Sequence, residues 1–322
     1  MDRHTATLHA DRIQASIASG AAAKSALVAS WRRSASLHRL DPAGQKLPRR
    51  LTEIELSMAR QRVEPLLAAA RSSLDRLYLA VGGVGCCVLL ADADGVPVDR
   101  RGAPVDDETF HSWGLWTGSV WSEHSEGTNG IGTCLVEQRA LTIHRDQHFF
   151  TRNTLLSCTT APVYDHLGNL VAALDVSSCR ADLTEGFVNL IAMAVSEAAR
   201  RIEADNFRMA FAKARILLAP VADKSTGALV AVDADDLVVG ATRAARLALG
   251  ITQDCLARPL PAADLLGDAP AVSEDLTEAE RSVVQRALAR SQGNVSAAAQ
   301  NLGISRATLH RKLARFGIRR PH

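Results

Sequence analysis

The sequence has little aromatic character and no long apolar segment. Only 4% of its 322 residues are aromatic, and tyrosine occurs twice. No run of roughly 18 apolar residues occurs, and the N-terminal MDRHTATLHADR contains neither an apolar core nor a cleavage site. We therefore expect no membrane span, no secretion signal and a cytoplasmic location.

The six cysteines form no recognisable disulfide or metal-binding framework. They include no CxxC pair and follow no regular spacing, which fits a reducing compartment. Cys86 and Cys87 are adjacent, and neighbouring residues of a strand point to opposite faces of its sheet. We interpret this pair as small buried hydrophobic residues and not as an oxidation sensor.

The sequence also lacks the motifs of a nucleotide-driven enzyme. No GxxxxGK[ST] loop and no GAFTGA occur, so we expect no ATP hydrolysis. We assign no cofactor and no catalytic residues. The composition is otherwise that of a globular protein, with 47% apolar and 22% charged residues. The chain is long enough for two or three domains.

What the sequence does have is a basic C-terminal segment after an acidic body. Residues 276–322 contain nine Lys or Arg and two Glu, a net charge of +7. The whole chain is +2, so the preceding 275 residues sum to −5. Such asymmetry indicates a surface that binds phosphate groups.

The basic segment has the pattern of three short helices. Thr277 and Glu280 predict a capping box for the first helix, which Gly293-Asn294 would end. The apolar face of this first helix is expected to be Val283, Val284, Ala287 and Leu288. An alanine-rich second helix is expected over 296–301, where small side chains let two helices cross closely.

Ser305 is placed to cap the third helix, and Gly317 to end it. Its buried stripe would be Leu309, Leu313 and Phe316. Arg306, near the N-terminus, is placed for base edges such as a guanine O6/N7 pair, and Arg311, Lys312 and Arg315 for phosphates. The full set of predicted DNA contacts is Asn294, Ser296, Ser305, Arg306, Thr308, His310, Arg311, Lys312 and Arg315.

The stretch GNVSAAAQNLGISRATLHRKLARFGI resembles the helix-turn-helix of the Fis family, found at the ends of bacterial enhancer-binding regulators. The resemblance implies a homodimer that binds double-stranded DNA at a palindromic operator. It implies DNA contacts at Asn294, Ser305, Arg306, Thr308, Arg311 and Lys312.

The residues before the basic segment predict an α+β fold. Helices are expected over 20–40 and 51–78, with Pro65 kinking or dividing the second. A polar helix is expected around 106–113. Strands are expected at 86–92, 139–144, 157–165 and 170–177, with 166–169 turning the last two as a hairpin.

Residues 184–218 are expected to form one long helix with an apolar stripe that includes Ile191, Val195, Ile202 and Met209. Such helices commonly pair in dimers. Residues 226–250 are expected to form a strand, an acidic turn, a second strand and a helix, a pattern that resembles the first part of a PAS domain. The predicted domains are 1–60, an N-terminal helical region; 61–183, a sensor with an antiparallel sheet and helices; 184–219, a signalling and dimerisation helix; 220–275, a partial PAS-like segment and linker; and 276–322, an all-α helix-turn-helix.

A second motif, WSEHSEGTNGIGT, occupies residues 121–133 and is here called the glycine loop; on it rests the interpretation of residues 61–183 as a GAF-like sensor. Gly127 and Gly130 permit unusual backbone angles, and Thr128 or Asn129 can cap a helix. With SWRRS at 30–34, HFF at 148–150 and CTTAPVYDHLGNLVAALDVS at 158–177, it makes residues 24–200 resemble the GAF sensor region of the acetoin-catabolism regulator family.

That family places an ATPase module between a PAS-like segment and the Fis-type domain, and the module is absent here. GAF pockets lie between the sheet and its covering loops. The resemblance therefore implies an effector of the alcohol, aldehyde, diol or ketone class in a pocket lined by Trp116, Trp121, Glu126, Asn129, His148, Phe149 and Cys158. Structural roles remain open alternatives, since Asn129 can simply cap a helix and Trp121 can fill a core.

A metal site at His144, His148 and Cys158 is disfavoured, because RALTIH predicts a strand up to His144 and not the helix that would align both rings.

We interpret the chain as a one-component transcription regulator whose effector shifts the DNA-binding pair, with RNA polymerase as a further partner. One alternative is a GAF-type sulfoxide reductase with Cys86 or Cys158 as nucleophile. Another is an architectural protein that bends DNA without a ligand.

Overall fold

The computed structural model describes residues 3–82, 85–180, 182–220, 227–266 and 276–318. The chain divides into two compact units, here called the sensor unit and the output unit. The sensor unit comprises residues 1–165 and 170–206, and the output unit comprises 166–169 and 207–322. No described helix is both long and apolar enough to cross a membrane.

The sensor unit begins with four helices, in two pairs. They are α1 (Arg3–Ala18), α2 (Ala26–Arg32), α3 (Glu53–Arg62) and α4 (Glu64–Val81). The predicted helix over 51–78 is divided, because Pro65 stands in the first turn of α4, where its missing N–H costs no hydrogen bond. Thr52 and Glu55 form the capping box that starts α3.

A five-stranded antiparallel sheet forms the centre of the sensor unit, in the order β2-β1-β5-β4-β3. The strands are β1 (Cys86–Asp92), β2 (Pro97–Arg101), β3 (Leu141–His144), β4 (Ser157–Tyr164) and β5 (Leu170–Ser178). Four of them were predicted. Strand β2 was not, because its sequence PVDRR begins with proline and is mostly charged, as an edge strand can be.

Each face of this sheet carries its own apolar core. On one face, Leu74 of α4 and Val195 of the long helix α8 (Glu185–Ala210) pack against Val88 and Leu174 of the sheet. On the other face, Phe110, Trp121 and Ile131 pack against the sheet. This second layer contains α5 (Asp107–Ser112), α6 (Glu123–Glu126) and α7 (Gly130–Glu137).

The prediction of one helix over 184–218 is wrong at its C-terminal end. Helix α8 ends at Ala210, and residues 215–218 form a strand. The stripe of Ile191, Val195 and Ile202 is buried against the sheet of the same chain, whereas Met209 is exposed. The apolar periodicity of this helix therefore reflects packing within the sensor unit. Pairing of the helix between two chains stays a prediction.

The output unit starts with a small antiparallel sheet of three strands in the order β6-β7-β8. The strands are β6 (Arg215–Leu218), β7 (Leu229–Val232) and β8 (Val238–Ala241), and the helices that accompany them are α9 (Arg243–Leu249), α10 (Gln253–Leu256) and α11 (Ala262–Leu266). The strand, acidic turn, strand and helix predicted over 226–250 are present among the described residues.

Three helices complete the output unit: α12 (Leu276–Arg290), α13 (Val295–Asn301) and α14 (Arg306–Phe316). They enclose a core of their own that includes Val284, Leu288, Ala298 and Leu309. Val283, predicted to be part of the apolar face, is exposed. The neighbouring Ser282 is buried, and its hydroxyl donates to the Ala234 carbonyl at 3.2 Å.

Candidate DNA-binding and effector sites

Helix α14 presents a basic outer face opposite a buried apolar stripe. Ser305 caps the helix by accepting a hydrogen bond from the Thr308 N–H at 3.1 Å, and Gly317 ends it with a φ of 65°. Leu309 and Leu313 are buried as predicted. Their inward orientation leaves Arg306 and Arg311 exposed, which is the arrangement that a helix in the major groove requires.

Asn294 has a structural role in addition to its predicted contact with DNA. Its Oδ1 accepts hydrogen bonds from the N–H groups of Ser296 at 3.0 Å and Ala297 at 3.2 Å, so it caps α13. Ser296 itself is exposed in the first turn, and His310 is half-buried on α14. Contacts of these residues with DNA stay predictions.

Two of the predicted phosphate contacts are held by a carboxylate within the same domain. Lys312 forms an ion pair with Glu280 of α12, and Arg315 lies 3.9 Å from the second oxygen of Glu280. The hydrogen bond from Lys312 lowers the pKa of Glu280. The predicted start of this helix differs from the structure, because α12 begins at Leu276, one residue before Thr277. The Glu280 carboxylate joins α12 to α14.

Three further cations of the basic segment are paired with acids of the small sheet and its helices. Arg281 binds Asp235 at 3.1 Å, Arg290 binds Asp264 at 2.6 Å, and Arg286 pairs with Asp236. The charge count of the sequence therefore overstates the positive charge that α12 can offer to phosphate. Arg306 and Arg311 have no recorded ion pair within the described ranges.

The glycine loop is covered by the N-terminal helices. Glu123 in α6 is buried and accepts hydrogen bonds from the Ser30 hydroxyl at 2.9 Å and from Arg33 at 2.7 and 3.0 Å. The Ser30 Oγ also lies 2.7 Å from the Thr128 Oγ1. Hydrogen bonding to Glu123 raises the pKa of Arg33. The SWRRS and glycine-loop motifs thus form one hydrogen-bonded network.

Close packing explains the three glycines of this loop. A Cβ at Gly127, whose φ is 61°, would lie 2.6 Å from the Phe149 ring. A Cβ at Gly130 would lie 2.6 Å from the Cys158 Cβ, and one at Gly132 would lie 2.3 Å from the Glu123 nitrogen. Protein atoms therefore occupy the space that a ligand beside these glycines would need.

Asn129 caps α7, which is the structural alternative raised by the sequence. Its Oδ1 accepts from the Gly132 N–H at 2.9 Å, and its Nδ2 donates to the Gly127 carbonyl at 2.8 Å. Trp121 is 1% exposed and donates to the Gly114 carbonyl at 2.7 Å. Both predicted ligand contacts have their polar atoms engaged by the backbone.

Two of the residues predicted to form the apolar wall of the effector pocket lie in the hydrophobic core. Phe149 stacks edge-to-face on Phe150 beneath the N-terminal helices, and Cys158 is buried between the sheet and α7. Trp116 is half-exposed and lines a surface depression beside α5, with the Arg100 guanidinium 4.1 Å from its ring centre. The structure therefore does not gather these predicted residues around one cavity.

The two remaining predicted residues are buried polar groups. Glu126 forms a buried ion pair with Arg152, and burial raises the pKa of Glu126 to about 7 although Arg152 opposes the shift. Burial lowers the pKa of His148 to about 4, so its ring is neutral at physiological pH. In the part of the chain that is described, no group of three His, Cys, Asp or Glu is arranged to hold a metal ion.

Sequence reasoning missed Asp175, a buried acid in β5. The hydroxyls of Thr160 and Ser177 donate to its two oxygens at 2.5 and 2.6 Å, and burial raises its pKa to about 6. It also missed Ser30 and Arg33. An acid within the apolar run LVAALDVS was the available signal for Asp175, whereas nothing local connects Ser30 with a loop some 90 residues later.

A cavity of about 160 Å³ does lie beside this network, where α2, α7 and β3 meet. We call it the junction cavity. None of the seven predicted effector contacts lines it. Its polar lining consists of Ser30, Thr128, Thr133, Glu137, Thr142 and Gln147, and Arg139 also borders it.

Comparison with known proteins defines the class of protein. The family described as bacterial regulatory protein, Fis family, matches residues 275–316, and the GAF domain family matches residues 59–202. The chain therefore combines a GAF domain with a Fis-type helix-turn-helix. Both matches agree with the α+β sensor and the all-α C-terminal domain of the structure.

The relatives among curated proteins are similar to this chain over one part of their length. The acetoin catabolism regulatory protein of Cupriavidus necator is 37% identical over 224 residues, 68% of this chain and 34% of the relative. The acetoin dehydrogenase operon transcriptional activator of Bacillus subtilis is 29% identical, over 53% of this chain and 28% of the relative. The chain thus matches about a third of the length of these relatives.

A solved structure supports the fold. The crystal structure of the E. coli DhaR(N)–DhaL complex contains a chain that aligns with 81% of this chain and 85% of its own length, with a TM-score of 0.52. The sequence identity is 14%, so this likeness concerns the fold alone.

Proposed function

We propose that this protein is a transcription regulator that binds a specific DNA sequence through α14 and senses a small metabolite through its sensor unit. The observation that carries the DNA-binding half is the orientation of α14. Its buried Leu309 and Leu313 direct Arg306 and Arg311 outward, in a domain that matches the Fis family. We assign base contact to Arg306 and phosphate contact to Arg311.

The operator is palindromic in this proposal, and the protein acts as a homodimer in the cytoplasm. A single helix-turn-helix contacts one half-site, so a two-fold dimer is needed to recognise a palindrome. The outer surfaces of α4 and α8 supply an apolar face for such a dimer, since Leu79, Leu190 and Met193 are each more than half exposed.

Regulation proceeds without ATP hydrolysis, with direct contact to RNA polymerase as the route to transcription. The support lies in what connects α8 to α12. The described part of this connection is a three-stranded sheet with short helices, and the sequence has no GxxxxGK[ST]. The phosphate-binding loop of an ATPase module is thus missing between the sensor and the DNA-binding domain.

The effector belongs to the small alcohol, aldehyde, diol or ketone class, as the names of the two acetoin-related relatives suggest. A cysteine-dependent enzyme is disfavoured. Burial raises the pKa of both Cys86 and Cys158, which opposes formation of the thiolate that a nucleophile requires.

Selection of bound duplexes from a random DNA library tests the DNA-binding half. The full chain should enrich a palindromic sequence, and Arg306→Ala should lose preference at one base position in each half-site. Binding without any enriched sequence would favour an architectural protein and overturn this function.

A further inference from the structure

Two histidine rings meet where the N-terminal helices lie on the glycine loop. The Nδ1 atoms of His38 and His124 are 3.2 Å apart, and the rings stand edge to face at an interplanar angle of 89°. His124 is exposed and His38 is half-buried, so solvent reaches the pair. His38 precedes residues 59–202, the extent of the GAF match, whereas His124 lies within them. The pair therefore joins two segments that are distant in sequence.

The backbone that presents His38 has two uncommon conformations. Residues Arg33–Leu37 form one turn of π-helix, and the His38 N–H donates to the Arg33 carbonyl at 3.0 Å. Turns of π-helix are rare and frequently lie at functional sites. The next residue, Arg39, has a φ of 56°, in the left-handed region that residues other than glycine seldom adopt. The position of His38 is thus specified by its local backbone.

An ion pair beside the two rings holds the same two segments together. Arg33, one π-helical turn before His38, binds Glu123, the residue that precedes His124. Glu123 is 2% exposed and also accepts a hydrogen bond from the Ser30 hydroxyl. Both imidazoles are therefore presented by segments that are already docked. A ligand between the rings would bind a preorganised pair and lose little free energy to ordering them.

The separation of the two Nδ1 atoms matches that of two nitrogen ligands on one metal ion. Zn–N bonds are about 2.0–2.1 Å long, and two of them at the tetrahedral angle place their nitrogens about 3.3–3.4 Å apart. The distance between the His38 and His124 Nδ1 atoms is 3.2 Å. Without a metal, one Nδ1–H donates to the lone pair of the other ring. A metal ion replaces that proton, which passes to solvent, and accepts both lone pairs.

The surroundings favour the neutral imidazole that a metal ion requires. Burial lowers the pKa of His38, and the charge of a protonated His124 lowers it further. Glu123 and Arg33 act on this pKa in opposite directions, since Glu123 raises it and Arg33 lowers it. Neutral histidine is the form that binds metals. The positive charge of Arg33, which would repel a cation, is offset by its partner Glu123.

We propose that His38 and His124 form a binding site for a divalent transition-metal ion of the zinc type. Imidazole nitrogen suits such ions, whereas Mg²⁺ prefers oxygen ligands. Because no third His, Cys, Asp or Glu completes the site in the described ranges, water molecules take the remaining positions. The bound ion connects the end of the π-helical turn with α6, so it stabilises the docking of the N-terminal helices on the glycine loop.

Calorimetric titration of the full chain, freed of metal by a chelator, tests the site with Zn²⁺ and Mg²⁺ as probes. Zn²⁺ should bind and Mg²⁺ should not. His38→Gln and His124→Gln each remove one ligand and should weaken Zn²⁺ binding at least about tenfold, since even the loss of an outer-shell partner typically costs about 10–100-fold. His111→Gln changes an exposed histidine of α5 in the same way and should leave this binding unchanged.

Hydrogen exchange of the wild-type chain gives a second measurement that needs no variant. Zn²⁺ should slow amide exchange in residues 33–38 and 123–126, and Mg²⁺ should leave it unchanged. The proposal is wrong if the wild-type chain binds no Zn²⁺, or if both variants of the pair bind it as tightly as wild type. Zn²⁺ binding without slower exchange in these two segments would also contradict it, because an ion held by both rings must restrain both segments.

Discussion

The helix-turn-helix and the glycine loop use the same local device in opposite surroundings. In each, an asparagine caps a helix through its Oδ1: Asn294 caps α13 and Asn129 caps α7. After α13, Arg306 of helix α14 is exposed to solvent. The glycine loop is covered by α2, whose Ser30 hydroxyl contacts the Thr128 hydroxyl. A polar motif indicates ligand contact only where the rest of the fold leaves its polar groups accessible.

The largest expected effect concerns the glycine loop, which α2 covers. Arg33→Ala leaves the Glu123 carboxylate buried with only the Ser30 hydroxyl among its described partners, so unfolding of the sensor unit should become easier by about 3–5 kcal/mol. Urea unfolding of the full chain measures this change. Arg12→Ala is the control, because its ion pair with Asp146 is half-exposed and should contribute below about 1 kcal/mol. Equal losses would contradict a structural role for the ion pair that Arg33 forms with the buried Glu123.

Substitutions on the exposed face of α14 should change DNA binding and leave the free energy of unfolding unchanged. Arg306→Ala should weaken binding to the selected operator by about 1–3 kcal/mol and relax preference at one position. Arg311→Ala should weaken specific and random duplexes alike, with a smaller salt dependence. Fluorescence anisotropy at several salt concentrations separates these outcomes, and a uniform loss from both variants would remove the assignment of Arg306 to a base.

A pH experiment tests whether water is excluded from the buried His148 ring. His148 stays neutral down to about pH 4 when folded and takes up a proton near pH 6.5 when unfolded. Its contribution to stability is therefore lost as pH falls below 6.5. Relative to His148→Gln, the wild type should lose about 2 kcal/mol of unfolding free energy between pH 7 and pH 5. Parallel pH profiles would mean that water reaches the ring.

The smallest expected effect concerns the ion pairs that restrain α14. Glu280→Gln removes the carboxylate that holds Lys312 and Arg315, so binding to any duplex should tighten about two- to threefold at low salt, within the range of surface ion pairs. Glu278→Gln makes the same charge change at an exposed position of α12 and serves as the control. An equal gain from both would show that net charge, and not release of Lys312, is responsible.

Local patterns predicted the C-terminal helices well, because their signals act over a few residues. Ser305, Leu309, Leu313 and Gly317 each take the predicted role in α14. The residues that line the junction cavity could not be predicted in the same way. Trp121 and Phe149 have the chemistry of pocket walls, yet both fill the core, and the hydroxyls of the junction cavity come from segments with no sequence signal in common.

The sequence by itself determined the cap and the end of α14, four strands of the central sheet, and the two domain types. These features depend on backbone hydrogen bonding and on periodicity, which neighbouring residues control. Only the tertiary structure decided which charges remain available: Arg33 and Arg152 are drawn into buried pairs, three arginines of α12 pair with aspartates, and Arg306 and Arg311 stay exposed. Ion pairs form between residues far apart in sequence, so the packing of the helices selects the partners.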